Sequence, residues 1–156
     1  VGDWATQLET NKVSFAAVFV RRTRFSNTYA ATLTPAALVD ALFANTGVTP
    51  TAADRAKAIN EFGGAGNSSD LAARGRALRD VAENATLTSN ESNRAFVLMQ
   101  FFGYLRRNPD DQPDGNYTGY DFWLSKLNQF NGSFVNADMV KAFITSGEYR
   151  QRFGPA

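Results

Sequence analysis

The stretch richest in chemistry-bearing side chains is Asp110-Asp-Gln-Pro-Asp-Gly-Asn-Tyr-Thr-Gly-Tyr-Asp121. Calcium takes several oxygen ligands from a compact loop, with glycine at the sharp turn. One register sets Asp110, Gln112, Asp114, Gly115 and Asp121 at such stations. A second sets Asp114, Asn116, Thr118, Gly119 and Ser125 there. Neither register closes with the bidentate Glu of a regular EF-hand loop, and Pro113 interrupts the first. The competing reading is a long polar connection built on Asx turns, with Thr118 capping the helix that follows. The candidate ligands are Asp110, Asp114, Asn116, Thr118 and Asp121. Calcium would brace the loop there; no other cofactor is expected.

Around that loop sit Tyr104, Tyr117, Tyr120, Phe122 and Trp123. Exposed aromatic rings can stack on sugars, and Tyr117 and Tyr120 are the members expected to face solvent and touch a glycan. The alternative is core packing, because Trp123 and Leu127 share one helix face at a spacing of four. Basic residues recur at three similar stations: Arg21-Arg22, Arg106-Arg107 and Arg150-Gln-Arg152. Arg106, Arg107, Arg150 and Arg152 could form an interaction surface for phosphate or acidic glycans. Cations also sit favourably at helix C-termini without any ligand. Asp121 with Glu148, or Asp110 with Asp114, could do glycosidase-type acid/base work. Nothing in the spacing sets either pair across a cleft, so no catalytic residue is expected and the chain reads as non-enzymatic.

The elements that must carry these groups are helical. Apolar residues recur at three and four throughout, and no period-two stretch is convincing. The expected fold class is all-α. Thr34-Pro35 opens a helix bearing Leu38, Val39, Leu42 and Phe43, which Gly47 ends. Thr49-Pro50-Thr51 opens the next, which Gly63-Gly64 closes. Ser69 or Asp70 caps a third, with Leu71, Leu78 and Val81 inward. Ser89 or Asn90 caps a long apolar helix through Phe96, Val97, Phe101, Tyr104 and Leu105. A polar loop follows over 106–119. Thr118 then caps a helix over 120–130, and Asn136 one over 137–146. Gly147 bends the chain into a short tail around Tyr149 and Phe153.

The composition removes several function classes. The chain has no Cys and no His, so it contains no disulfide, no thiol nucleophile, no Ser-His-Asp triad and no ordinary zinc site. A net charge of +1 with scattered charges gives no basic field for nucleic acid. The longest apolar run, Phe15-Ala-Ala-Val-Phe-Val20, is far too short for a transmembrane segment. No signal peptide is visible, and an initial Val suits a processed or excised segment.

The chain also repeats itself. Trp123…Leu127 followed by Phe143-Ile144…Tyr149 echoes Trp4…Leu8 followed by Phe19-Val20…Phe25. Aligning Pro50 with Pro109 sets Leu38, Leu42 and Phe43 against Val97, Phe101 and Phe102. It also sets Ile59-Asn-Glu-Phe62-Gly-Gly against Leu127-Asn-Gln-Phe130-Asn-Gly. The expected architecture is a compact multi-helix domain of two pseudo-repeated three-helix units, 29–88 and 89–156, preceded by a partial unit, 1–28, that ends an earlier repeat. Trp4, Leu8, Phe15 and Phe19 should then be buried against residues 34–62 or the following unit. Repeats of this kind build surfaces more often than single active sites.

The C-terminal unit resembles a bacterial family. The residues are Phe101-Phe-Gly-Tyr-Leu-Arg-Arg-Asn-Pro109, Gly119-Tyr-Asp-Phe-Trp-Leu124, Leu127-Asn128 and Met139-Val-Lys-Ala-Phe-Ile-Thr-Ser-Gly-Glu-Tyr-Arg150. They are similar to domain-of-unknown-function family 4214, over about residues 96–153. The N-terminal half resembles a diverged copy that lacks the middle Trp and carries Glu83-Asn84 at the Ser-x-Glu station. Such domains occur, often in tandem, in large secreted or surface-associated bacterial proteins, and some resemble the helical linker domains of phycobilisomes. The resemblance implies a secreted or cell-surface role in adhesion, scaffolding or assembly, with other proteins or further copies of the chain as partners. A calcium-dependent or carbohydrate-binding module centred on 110–123, acting on a surface glycan, is the alternative. An accessory domain of an extracellular enzyme is a third.

Overall fold

The computed structural model describes residues 2–154; Val1, Pro155 and Ala156, at the ends of the expected 1–28 and 89–156 segments, lie outside them. Among the described residues every regular element is helical, so the chain is all-α. Packing divides it into two units, Val1–Thr88 and Ser89–Ala156.

In the first unit, α1 (Trp4–Phe19) begins at Asp3, whose carboxylate accepts from the Thr6 amide at 3.1 Å. After α2 (Thr23–Thr28), the caps behave as their chemistry dictates. Thr34 Oγ1 accepts from the Ala37 amide to start α3 (Pro35–Thr46), and Gly47 ends it at φ 69°. Thr51 and Asp70 cap α4 (Ala52–Asn60) and α5 (Leu71–Ala82) in the same way. Leu38, Val39, Phe43, Phe62, Ala77 and Val81 fill the core between these helices. Leu71, expected inward, is 37% exposed: it is the first residue of α5, ahead of that helix's inward Ala73, Ala77 and Val81.

Helix α1 lies along α5. Ala16 is buried, and Gly75 lets the backbones approach: a methyl at Gly75 would stand 3.6 Å from the Ala17 amide nitrogen. Lys12 bridges Glu9 and Glu83, and Arg79 pairs with the same two carboxylates. The expected burial of the N-terminal aromatics does not hold. Trp4 is 73% exposed, Phe15 62% and Leu8 45%, and only Phe19 is half-buried. The inward side of α1 is its small-residue and charged side.

The unit boundary falls inside α6 (Ala85–Gln100). This helix starts before Ser89 and Asn90, because the Asn84 carboxamide accepts from the Thr86 and Leu87 amides and takes the capping role. In the second unit α6 runs directly into a π-helical turn, Phe101–Leu105, closed by Arg106 at φ 52°. A loop leads to α7 (Thr118–Gln129), then α8 (Met139–Thr145) and α9 (Gly147–Phe153). Thr118 is the first residue of α7 rather than its cap; Asn116 Oδ1 accepts from its amide at 2.8 Å. Asn136 likewise does not cap α8. Its amide donates to Ser133 Oγ in a run of turns, and α8 begins three residues later. Gly147 starts a helix instead of a tail, since Ser146 Oγ accepts from the Tyr149 amide. Val97, Phe101, Leu105, Leu127, Met139 and Phe143 form the second core.

Candidate functional site

The densest polar arrangement in the second unit is centred on Arg107, one of the residues expected on an interaction surface. It is instead buried, at 8% exposure. The physical reason is the π-turn and the left-handed Arg106 that follows, which turn the chain back so that the Arg107 amide donates to Phe101 O. The side chain then lies 5.2 Å from the centre of the Phe101 ring.

The guanidinium is met on every edge. Nε donates to Glu148 Oε1 at 2.7 Å and Nη2 to Oε2 at 3.1 Å, a bidentate fork. Nη2 also donates to Asp114 Oδ2 at 2.6 Å. Nη1 is shared among the carbonyls of Asn108, Pro109 and Asp111, at 3.0, 3.1 and 3.2 Å. The Glu148 hydrogen bond raises the Arg107 pKa, burial opposes it, and Asp114 adds to the rise. One residue thereby ties the 108–114 loop to the first turn of α9. A hollow of about 220 Å³ beside it is lined by Phe101, Leu105, Trp123 and Phe143 together with Arg107, Asp114 and Glu148.

The candidate cation ligands distribute as follows. Asp114 is held by Arg107, and Asn116 Oδ1 is engaged in the Asx turn that opens α7. Asp110, Thr118 and Asp121 are exposed, the last in the first turn of α7. Among the described residues no three acidic side chains converge in a way that could hold a metal ion. The acid pairs considered for catalysis are not the ones that meet. Asp114 and Glu148 do, through Arg107, where both serve as hydrogen-bond acceptors of one cation.

The aromatics split between core and surface. Tyr104, Tyr120 and Trp123 pack on the second core. Tyr120, expected in solvent, also donates its hydroxyl to Arg94 O at 3.2 Å, and burial raises its pKa. Tyr117 is 51% exposed, its ring 6.0 Å from that of Tyr120. Phe122 is the exposed ring that the residue pattern did not single out. Positions 120, 123, 124 and 127 share a face by spacing, which leaves 122 on the other side. Arg106 is exposed and lies 5.7 Å from the centre of the Phe153 ring. Arg150 is exposed, and Arg152 pairs with Glu148 at 3.3 Å.

Sequence reasoning also missed Arg74, which is 2% exposed in the first unit. Its Nη2 donates to Ala30 O at 2.8 Å and to Ser68 Oγ at 3.0 Å, its Nε to Ser68 O, and the guanidinium lies 5.8 Å from the centre of the Phe25 ring. Burial lowers its pKa. The signal was present: Arg74, Ala77, Leu78 and Val81 fall on one helical stripe. No family model, no curated protein and no solved structure matches the chain. Among the described residues no helix is long and apolar enough to cross a membrane.

Proposed function

We propose that the chain is a non-enzymatic interaction module of a secreted or surface-associated bacterial protein, built from two diverged helical units of the family 4214 type and acting in adhesion, scaffolding or assembly. The observation that carries the reading is the set of large apolar side chains left in solvent on otherwise well-packed helices. Trp4, Phe15 and Val18 on α1 and Phe122 on α7 are all more than half exposed. Contiguous apolar surface of this kind marks contact sites. The charged cluster of the second unit supports the same reading, because its carboxylates are engaged in holding Arg107.

A glycan contact is the second reading, supported by the half-exposed Tyr117 beside the acidic loop. One assay separates the two. Beads coated with the chain are mixed with like beads, and separately with insoluble cellulose or peptidoglycan, in calcium and in EDTA. The interaction reading expects chain-to-chain clustering indifferent to EDTA. Binding to the glycan, lost in EDTA, would replace it with the calcium-dependent reading. No clustering and no glycan binding would refute both.

A further inference from the structure

The exposed side of α1 has an order that scattered surface residues lack. Trp4, Leu8, Asn11, Phe15 and Val18 follow one another at spacings of four, three, four and three. That is the heptad seam of a coiled coil, with one polar position at its centre. All five are exposed. The side against α5 is a different one, held by Ala16, the Gly75 approach and the Glu9, Lys12, Arg79 and Glu83 ion pairs. Helix α1 is therefore fixed to its own unit while its seam points outward.

We infer that this seam pairs with α1 of a second copy, antiparallel, across a two-fold axis at Asn11. The inference rests on the interaction reading above. Charge selects the orientation. The N-terminal end carries Asp3 and the positive end of the helix dipole; Arg21, Arg22 and Arg24 follow the C-terminal end, and all four side chains are exposed. Antiparallel pairing brings Asp3 of each copy toward Arg21 and Arg22 of the other. Parallel pairing would stack the arginines on one another. Size agrees: about Asn11, Trp4 faces Val18 of the second copy, large against small. The two Asn11 carboxamides meet on the axis, each with a donor and an acceptor, and fix the register.

Area sets the strength. The four apolar side chains expose roughly 500 Å² per copy, taking aromatic rings at about 150–250 Å² each. Asp3, Gln7, Asn11, Ser14 and Arg22 bring the face toward the roughly 800 Å² per partner of a specific interface. The pairing is accordingly weak in the isolated chain and strengthened when copies are tethered.

The absence of native Cys makes the test direct. Under mild oxidation, Asn11→Cys should form a self-linked dimer. Trp4→Cys should link to Val18→Cys when the two variants are mixed, and poorly to itself. Sedimentation equilibrium of the cysteine-free chain should show a reversible dimer, weakened at least about tenfold by Trp4→Ser with Phe15→Ser. Both side chains are exposed, so circular dichroism should stay unchanged. Efficient Trp4→Cys self-linkage without the Val18→Cys product would overturn the antiparallel arrangement. A monomer at all concentrations, or a dimer indifferent to Trp4→Ser with Phe15→Ser, would overturn the pairing. Bead clustering that survives those two substitutions would refute this inference and leave the interaction reading standing.

Discussion

Replacing Arg107 with Ala should unfold the second unit's loop and α9 from its core. The substitution removes a bidentate contact to Glu148, one contact to Asp114 and the donor shared by three carbonyls. Breaking a buried ion pair by deleting one partner costs about 3–5 kcal/mol. Here the remaining partners can partly rehydrate, since the Glu148 and Asp114 side chains are 21% and 37% exposed. Discounting for that exposure leaves about 3 kcal/mol. Arg107→Lys should recover only part of it, because an ammonium cannot reproduce the planar fork. Trp123 lies in the second core, 5.5 Å from Phe143, so its fluorescence in a Trp4→Phe background follows that unit alone through a urea titration. Arg106→Gly is the matched control: exposed, at positive φ, and expected within about 1 kcal/mol of the parent. An Arg107→Ala loss under about 1 kcal/mol, or equal losses at both positions, would refute the clasp.

Three further outcomes are expected. EDTA and added calcium should leave the melting temperature unchanged, because Asp114 is held by Arg107; a calcium-induced rise would show that the loop exchanges a guanidinium for a cation. Gly75→Ala should be neutral or stabilising by up to about 1 kcal/mol, whereas Gly75→Leu should push α1 off α5 and cost about 1–3 kcal/mol, both read by thermal unfolding. Hydrogen bonding to Arg55 holds the Asp40 carboxyl below its usual range. A carboxyl depressed in the folded state adds stability above its unfolded pKa and loses it as pH falls through the folded one. Asp40→Asn should flatten that acid limb by less than about 1 kcal/mol, as befits an exposed pair, in urea midpoints taken from neutral to acidic pH.

The helical class and the caps at Thr34, Thr51 and Asp70 were legible because cap chemistry acts within three residues. Competition among neighbouring capping residues was not. Asn84, Ser89 and Asn90 are equally suitable by type, and only the path of the chain chose Asn84. Apolar spacing found the stripe on α1 but could not say whether the chain itself covers it; Trp4 and Phe15 show that it does not. The candidate site was the least legible part. Arg107 read as a solvated helix end because its inward turn depends on a backbone irregularity that has no residue signature. Its partners lie seven and forty-one positions away, beyond any local pattern.

The π-turn also changes what kind of sequence change this stretch can absorb. A regular helix advances about 100° per residue, and the wider turn takes in one extra residue. Identity matters little at its outer positions: Phe102 is 46% exposed, and nothing lies within 4 Å of where a Gly103 side chain would begin. Length matters instead. Losing one residue from Phe101–Leu105 would restore a regular helix and swing everything beyond it by about 100°, carrying Arg107 out of reach of Glu148. The segment should therefore tolerate substitution and reject deletion, so that the number of its residues, more than their kinds, keeps α9 attached.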